Sequence, residues 1–185
     1  MMKMRDKIVK RIVEVSKIEQ SRKKRLISFI PQFAFFIIFI PIILFVIPYF
    51  LFDKWFELDK IHLHSGIYFL ISVLALTGWA FAVWSIVVQY KFGNGTPIPV
   101  MATQKMVVKK PFSICRNPMA LGTIIFYVCI GILIGSVSAI VMSIIFAMIL
   151  LTYIKVIEEK ELEIRFGQDY VDYKKKTPFL FPKWF

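Results

Sequence analysis

Two short segments of the chain carry side chains that could bind charged groups or move protons. One is Arg116-Asn117-Pro118-Met119, and the other contains the adjacent pair Glu158-Glu159. A guanidinium group binds carboxylates and other anions through paired hydrogen bonds, whereas carboxylates bind cations and hydroxyl groups and can act as general bases. Two simpler interpretations stay open. Arg116 could only anchor the chain at a membrane surface, and Glu158-Glu159 could be the solvated end of a helix.

Long apolar runs surround these segments and predict a membrane protein. Hydrophobic residues make up 58% of the 185-residue chain and charged residues only 19%, against about 45–50% and about 25% in soluble domains. The runs at 27–52 and 65–90 can each cross a hydrocarbon core of roughly 30 Å. Residues 118–156 fit two shorter spans joined by a turn at 135–138, and a GxxxG motif at 131–135 allows close packing inside this hairpin or in a dimer. We predict an all-α integral membrane helical bundle with about four transmembrane helices, a C-terminal helical hairpin and a cytoplasmic C-terminal segment.

The basic residues predict which helix ends face the cytoplasm. The formal net charge is +12, and 10 of the 24 Lys and Arg lie in residues 1–27, 5 in residues 91–117 and 7 in residues 155–185. Basic segments that alternate with apolar spans follow the positive-inside rule. We therefore expect 1–27, 91–117 and 158–185 to be cytoplasmic and 53–64 to be external. The same distribution argues against nucleic-acid binding, which the net charge alone would suggest.

The chain divides into three parts on this reading. Residues 1–26 are a basic, amphipathic interfacial segment, and residues 27–90 hold the first two spans. Residues 91–185 hold an inner loop, the hairpin, and a C-terminal helix and tail. Because Arg116 enters the third span at the level at which Glu158 leaves the fourth, the topology brings both chemical segments together on the cytoplasmic side.

Other candidate ligands in the sequence predict no metal site and no disulfide. His62 and His64 form an H-x-H pattern, but only scattered carboxylates lie near them, and a metal site needs more ligands. Cys115 falls in a basic loop and Cys129 in an apolar span, with no CxxC motif between them. We therefore expect the histidines to be interfacial and the two thiols to be unpaired.

The inner loop and the end of the hairpin resemble a known family. The matching residues, in order along the chain, are Val107-Val108, Arg116-Asn117-Pro118-Met119, Glu158-Glu159, Leu162, Phe166-Gly167, Tyr170 and Tyr173. This ordered set, with a hairpin in its middle, is similar to the isoprenylcysteine carboxyl methyltransferase and phospholipid methyltransferase group. The stretch 93–99 also resembles the GxGTPxP of many prokaryotic members. The likeness covers roughly 88–183, which makes 91–185 a methyltransferase-like region.

The sequence departs from the family pattern at two places. The family has a GPYR element where this chain has Lys110-Pro111-Phe112-Ser113. Ala120 stands where the family carries an aromatic residue. These differences lie next to the residues that would bind substrate, so they point to a divergent specificity or a weakened activity.

The resemblance implies S-adenosylmethionine as methyl donor, with S-adenosylhomocysteine as product. It implies catalytic roles for Arg116 and Glu159. The donor-binding residues that it implies are Val107, Val108, Arg116, Asn117, Pro118, Gly122, Glu158 and Glu159. In-line methyl displacement depends strongly on placement of the reactants, and carboxylates suit a sulfonium cation and ribose hydroxyls.

Individual roles follow from the same resemblance. Arg116 would bind the carboxylate of the donor or an anionic acceptor. Val107 and Val108 would cover the adenine, and Pro118 would fix the start of the third span, since proline is tolerated in a first helical turn.

The expected acceptor is a membrane lipid or a lipid-modified molecule, because the site should open to the bilayer. The sequence does not choose between a carboxylate and an amine acceptor, and it leaves the oligomeric state open. Two alternatives remain: a membrane reductase of the sterol-reductase type, and a non-catalytic membrane scaffold or transporter. The expected location is the cell membrane of a prokaryote, as a multi-pass protein with both termini in the cytoplasm.

Overall fold

The computed structural model describes residues 4–16, 21–94 and 103–181, and these residues form helices and no strand. Helix α1 is Met4–Ser16. Helix α2 covers 22–55, beginning as Arg22–Ala34 and continuing through wide π-turns at Phe35–Phe39, Ile42–Val46 and Pro48–Phe52 to Asp53–Trp55. The remaining helices are α3 (Ser65–Gly93), α4 (Pro118–Ile134), α5 (Val137–Phe166) and α6 (Gln168–Lys176). The predicted all-α class is confirmed.

Three of these helices are long and apolar enough to cross a bilayer, within the residues described. They are Leu26–Trp55, Ser65–Gly93 and Val137–Phe166, of 30, 29 and 30 residues. Most of their apolar side chains are exposed in the isolated chain, as expected for helices that face lipid. Helix α4 is equally apolar but has only 17 residues. The protein is therefore an integral membrane protein by these criteria, and the fourth span stays a prediction.

The first wide turn in α2 lies just before a proline. Pro41 has no N–H, and the N–H of Ile40 bonds to the carbonyl of Phe35 instead of Phe36. The Phe36 carbonyl is left without a partner in its own helix. The Tyr127 hydroxyl of α4 donates a hydrogen bond to it at 2.6 Å. A buried tyrosine thus links α2 to α4 at the point where proline interrupts the helical ladder.

The hairpin of α4 and α5 turns at Gly135-Ser136. Gly135 has φ of +73°, a left-handed conformation that favours glycine, and Ser136 caps α5 by accepting a hydrogen bond from the Ala139 N–H. A Cβ on Gly131 would lie 3.2 Å from the Ile140 nitrogen. The close packing permitted by the GxxxG motif therefore occurs inside the hairpin.

The described residues of the basic, amphipathic segment predicted at 1–26 belong to α1 and to the start of α2. Helix α1 ends at Ser16, and a separate helix begins at Arg22. Val9 is buried, and α1 packs against the last part of α5. The apolar side of α1 is thus covered at least partly by protein, and its position at a membrane surface stays a prediction. Helix α5 ends at Gly167, which has φ of +56°.

One histidine of the H-x-H pattern, His64, has a local structural role. The His64 imidazole caps α3, because its Nδ1 accepts a hydrogen bond from the Gly66 N–H at 3.2 Å. His62 lies in the loop before this cap. The loop closes onto the hairpin turn through the Ile61 N–H, which donates to the Gly135 carbonyl at 2.9 Å.

Candidate active site

An open cavity lies where the ends of α3 and α5 meet the inner loop, the start of α4 and one side of α6. Water-sized spheres can be centred in about 80 Å³ of it, and the wider empty space of about 540 Å³ includes open solvent. The wall is mixed, with aromatic and aliphatic side chains beside amide, hydroxyl and charged groups. Its lining residues are Gln89, Thr103, Met106, Val107, Phe112, Arg116, Asn117, Glu158, Leu162, Phe166, Tyr170 and Tyr173. Both chemical segments of the sequence therefore reach one cavity.

Arg116 lines this cavity but is already strongly bonded by the protein. Its Nε and Nη2 donate to Glu159 Oε1 at 3.1 and 2.7 Å. Its Nη1 donates to the backbone carbonyls of Lys174 and Thr177 at 2.8 and 2.7 Å. A guanidinium has five N–H donors, so these contacts leave one for a ligand. In this conformation Arg116 cannot offer the paired donors that would bind a carboxylate bidentately, which changes the role expected from sequence.

Glu159 is the central carboxylate of a buried ion-pair network. Its side chain is 6% exposed; one oxygen bonds Arg116 and the other lies 2.7 Å from Lys174 Nζ. The hydrogen bond to this carboxylate raises the pKa of Lys174, so the ammonium stays charged. Glu159 does not line the cavity. The structure therefore places it behind Arg116, where it joins α4, α5 and α6.

Glu158 has the opposite environment. Its carboxylate lines the cavity, and among the described residues no hydrogen bond or ion pair satisfies it. Its charged neighbours include Glu159 and Glu161, which carry the same sign. An unpaired carboxylate in such a place favours a cationic or hydrogen-bond-donating ligand.

A wide turn in α5 sets which glutamate faces the cavity. The π-turn Ile154–Glu158 ends immediately before Glu159. One extra residue in a helical turn rotates everything after it by about 100°. Adjacent residues also point about 100° apart, so Glu158 and Glu159 face different surroundings.

The other residues expected to bind the donor fall in different places. Val107 and Asn117 line the cavity, and Asn117 Nδ2 donates to the Phe179 carbonyl at 2.9 Å. Val108 is 43% exposed and Pro118 is fully buried at the first position of α4; neither lines the cavity. Gly122 lies deeper in α4, against α3.

Gly122 has a packing role in the structure. A Cβ there would lie 2.5 Å from the Gly78 carbonyl oxygen and 2.7 Å from the Ala82 nitrogen. Those separations are far below van der Waals contact, so only glycine lets the backbones of α3 and α4 approach this closely. Gly122 does not line the cavity, and donor contact there stays a prediction.

Two tyrosines of α6 close the cavity on the side of the inner loop. The Tyr173 hydroxyl donates to the Phe112 carbonyl at 2.6 Å, and burial raises the pKa of Tyr173, which keeps the hydroxyl protonated. Burial also raises the pKa of Tyr170, whose side chain is buried. Phe112 belongs to the segment that departs from the family pattern, and its backbone makes this contact. The two native thiols, Cys115 and Cys129, are buried and unpaired.

The comparison with known families decides the assignment. The model of the phospholipid methyltransferase family matches residues 65–169. This chain belongs to the phospholipid methyltransferase family. The match covers α3, the described part of the inner loop, α4 and α5, and stops just after α6 begins. No curated protein matches the chain. Of the residues that line the cavity, all except Tyr170 and Tyr173 lie within the matched range.

Lys174 belongs to the ion-pair network beside the cavity, and the sequence analysis did not predict a role for it. It lies beyond the matched region, and its Nζ joins Glu159 to Glu163, at 2.7 and 3.1 Å. The run of three lysines at 174–176 fits the positive-inside pattern equally well at each position. Only the position of α6 against α5 distinguishes Lys174 from its neighbours.

Proposed function

We propose that this protein transfers a methyl group from S-adenosylmethionine to a membrane lipid or lipid-modified acceptor. The observation that carries the proposal is the unpaired Glu158 carboxylate in a mixed cavity of a phospholipid methyltransferase family member. Bound S-adenosylmethionine would supply an electrophilic methyl group on a cationic sulfonium. The residues present suit such a ligand, because a free carboxylate faces the cavity beside apolar walls at Met106, Val107 and Leu162.

The roles of the two glutamates differ in this proposal. Glu158 stabilises positive charge in the cavity and holds the reacting groups in position. Glu159 fixes Arg116, which shapes the cavity wall and offers one remaining donor. The catalytic roles predicted for Arg116 and Glu159 thus become positioning roles, and Glu158 becomes the carboxylate that touches the ligand.

The class of acceptor determines whether a base is needed. A carboxylate acceptor is already nucleophilic. An amine acceptor must first lose a proton, and the unpaired Glu158 is the group in the cavity that can accept it. Either acceptor would reach the cavity from the bilayer, while the polar donor would enter from the cytoplasm.

The proposed membrane arrangement has four spans with both termini in the cytoplasm of a prokaryotic cell. Helix α4 is the fourth crossing, paired with α5 in the hairpin. The cavity then lies near the cytoplasmic headgroups, because it is built from the ends of α3 and α5 that carry basic neighbours. Cysteines placed at Asp59 and at Lys109 should react with an impermeant reagent from opposite sides of sealed vesicles. Labelling of both from one side would contradict the arrangement.

Comparison of two ligands tests the donor site. S-adenosylmethionine carries the sulfonium charge, whereas S-adenosylhomocysteine has a neutral thioether. If Glu158 faces the sulfonium, Glu158→Gln should weaken binding of the charged ligand by roughly ten- to hundredfold, which is the loss of one charge-assisted contact. Binding of the neutral ligand should change much less. Equal losses for both would instead place Glu158 at the ribose hydroxyls.

The control is Asp169→Asn, which removes an exposed carboxylate of α6. Titration calorimetry on the purified wild type, Glu158→Gln and Asp169→Asn gives the affinities. Methyl transfer from labelled donor to extracted membrane lipid then identifies the acceptor. If the wild type binds neither ligand, or binds reduced nicotinamide in their place, the proposed reaction is wrong.

A further inference from the structure

One wall of the cavity is a short segment without helix or strand. Residues 103–107, called here the loop wall, contribute Thr103, Met106 and Val107 to the cavity lining. A segment of this kind has no ladder of backbone hydrogen bonds to hold its shape. Its position therefore depends on contacts with the helices around it.

The first contact is with the end of α3. The Gly93 carbonyl accepts hydrogen bonds from the N–H groups of Gln104 and Lys105, at 2.6 and 3.2 Å. A Cβ on Gly93 would lie 2.9 Å from Val107 Cγ2 and 3.0 Å from Thr103 Cγ2. The absence of a side chain at Gly93 thus lets the loop wall sit directly on the helix end.

The second contact is made by Arg165 of α5. Its Nη2 donates to the Thr103 carbonyl, and its Nη1 donates to Glu161 Oε1 at 2.5 Å. The side chains of Arg165 and Glu161 are 9% and 4% exposed. A buried charged pair is costly to desolvate unless its hydrogen bonds are well satisfied. Here the Arg165 guanidinium donates one hydrogen bond to the Glu161 carboxylate and another to the Thr103 carbonyl of the loop wall.

The third contact ties the loop wall to the N-terminal helix. Gln104 Nε2 donates to the Ser16 carbonyl at the end of α1, at 3.0 Å. Helix α1 itself packs on the last part of α5. Of the three contacts, the one through Arg165 carries a charge and depends on a single buried side chain.

We propose that Arg165, held by Glu161, is a positioning residue that keeps the loop wall in place and thereby sets the affinity for the methyl donor. It acts through the Thr103 backbone and does not line the cavity itself. The identity of the ligand as the methyl donor rests on the function proposed above. The anchoring of the loop wall by Arg165 does not depend on that function. Neither residue is among the motif residues that carry the family resemblance.

The main variants are Arg165→Ala, Arg165→Lys and the double variant Glu161→Leu/Arg165→Met. Arg165→Ala leaves Glu161 buried without its partner and can lower stability for that reason alone. The double variant removes both charges, and replacing a buried ion pair by apolar residues is often neutral for folding. Lysine has a single ammonium and cannot reproduce the fork that reaches both partners. Lys160→Ala is the control, because Lys160 lies on the same helix with an exposed ion pair.

Kinetics in detergent with labelled donor should separate positioning from general stability. We expect Arg165→Ala and the double variant to raise the donor KM at least about tenfold, since small misplacements of a binding wall have effects of this size. The kcat of the active fraction should stay within about twofold. Arg165→Lys should recover part of the affinity, and Lys160→Ala should match the wild type. A wild-type donor KM in the folded double variant would overturn the proposal.

A second readout needs no donor. A spin label on Lys105→Cys reports the mobility of the loop wall, and the native Cys115 and Cys129 are buried and should not compete. The label should become more mobile in the Arg165 variants and remain unchanged with Lys160→Ala. Unchanged mobility in the Arg165 variants would refute the inference, whatever the ligand. Increased mobility in a protein that binds no S-adenosyl ligand would retain the anchoring role and refute the proposed function instead.

Discussion

Removal of the Glu159 carboxylate should destabilise the fold far more than removal of any exposed charge near it. In Glu159→Ala, Arg116 loses the acceptor of two hydrogen bonds, at 3.1 and 2.7 Å, while its side chain remains only 10% exposed. Leaving one member of a buried pair without its partner costs about 3–5 kcal/mol. The contact with Lys174 adds less, because that side chain is 36% exposed and can return to water.

The magnitude can be measured as the free energy of unfolding in mixed detergent micelles. Lys160→Ala should change this free energy by no more than about 0.5 kcal/mol, the usual range for surface substitutions. The double variant Arg116→Met/Glu159→Leu should be less destabilised than the sum of its single changes, with a coupling of about 1–3 kcal/mol. Additive effects, or a Glu159→Ala loss no greater than that of Lys160→Ala, would refute the buried network.

The adjacent residue should behave differently in the same assay. Glu158 has no partner among the described residues and lies beside carboxylates of the same sign. Glu158→Gln should therefore leave stability unchanged or increase it, because it removes an uncompensated charge. A large loss of stability in Glu158→Gln would show that its carboxylate has a structural partner.

Two further substitutions test packing and the tyrosine contact. Gly122→Ala should cost about 1–3 kcal/mol through overpacking against α3, whereas Gly66→Ala, where a Cβ would meet its nearest atom at 3.5 Å, should be nearly neutral in the same unfolding assay. Tyr173→Phe should cost about 1 kcal/mol through the lost hydrogen bond to the Phe112 carbonyl. Burial raises the pKa of Tyr173, so the stability that the neutral phenol contributes is fully present below the pKa of about 10 that tyrosine has in the unfolded chain. The loss of unfolding free energy in Tyr173→Phe should therefore be equal at pH 6.5 and at pH 9. A difference between the two would contradict a neutral donor.

Much of the architecture could be predicted because apolar length and charge are properties of the sequence alone. The runs at 27–52 and 65–90 correspond to α2 and α3, and the turn predicted at 135–138 occurs at Gly135-Ser136. The order of motifs led to the family that the comparison confirms. Gly167 ends α5, and its positive φ suits glycine.

The different positions of Glu158 and Glu159 relative to the cavity could not be predicted from the motifs. Glu158 and Glu159 are adjacent, and a π-turn just before Glu159 changes the direction in which each points. Nothing in the sequence signals that turn. Arg116 was expected to bind a ligand, but four of its five donors are taken by α5 and by carbonyls of α6 and the following segment, which are more than 40 residues away. Contacts of that kind depend on tertiary packing.

The shortness of α4 has a consequence for the bilayer itself. Its 17 residues extend about 26 Å at 1.5 Å per residue, whereas an average hydrocarbon core is roughly 30 Å thick. In the four-span arrangement proposed above, this hydrophobic mismatch would be relieved by local thinning of the membrane around the hairpin. Lipid headgroups would then be drawn toward Asn117 at the start of α4. The rate should accordingly be higher in bilayers of shorter acyl chains, even when the acceptor headgroup and its surface concentration are held constant.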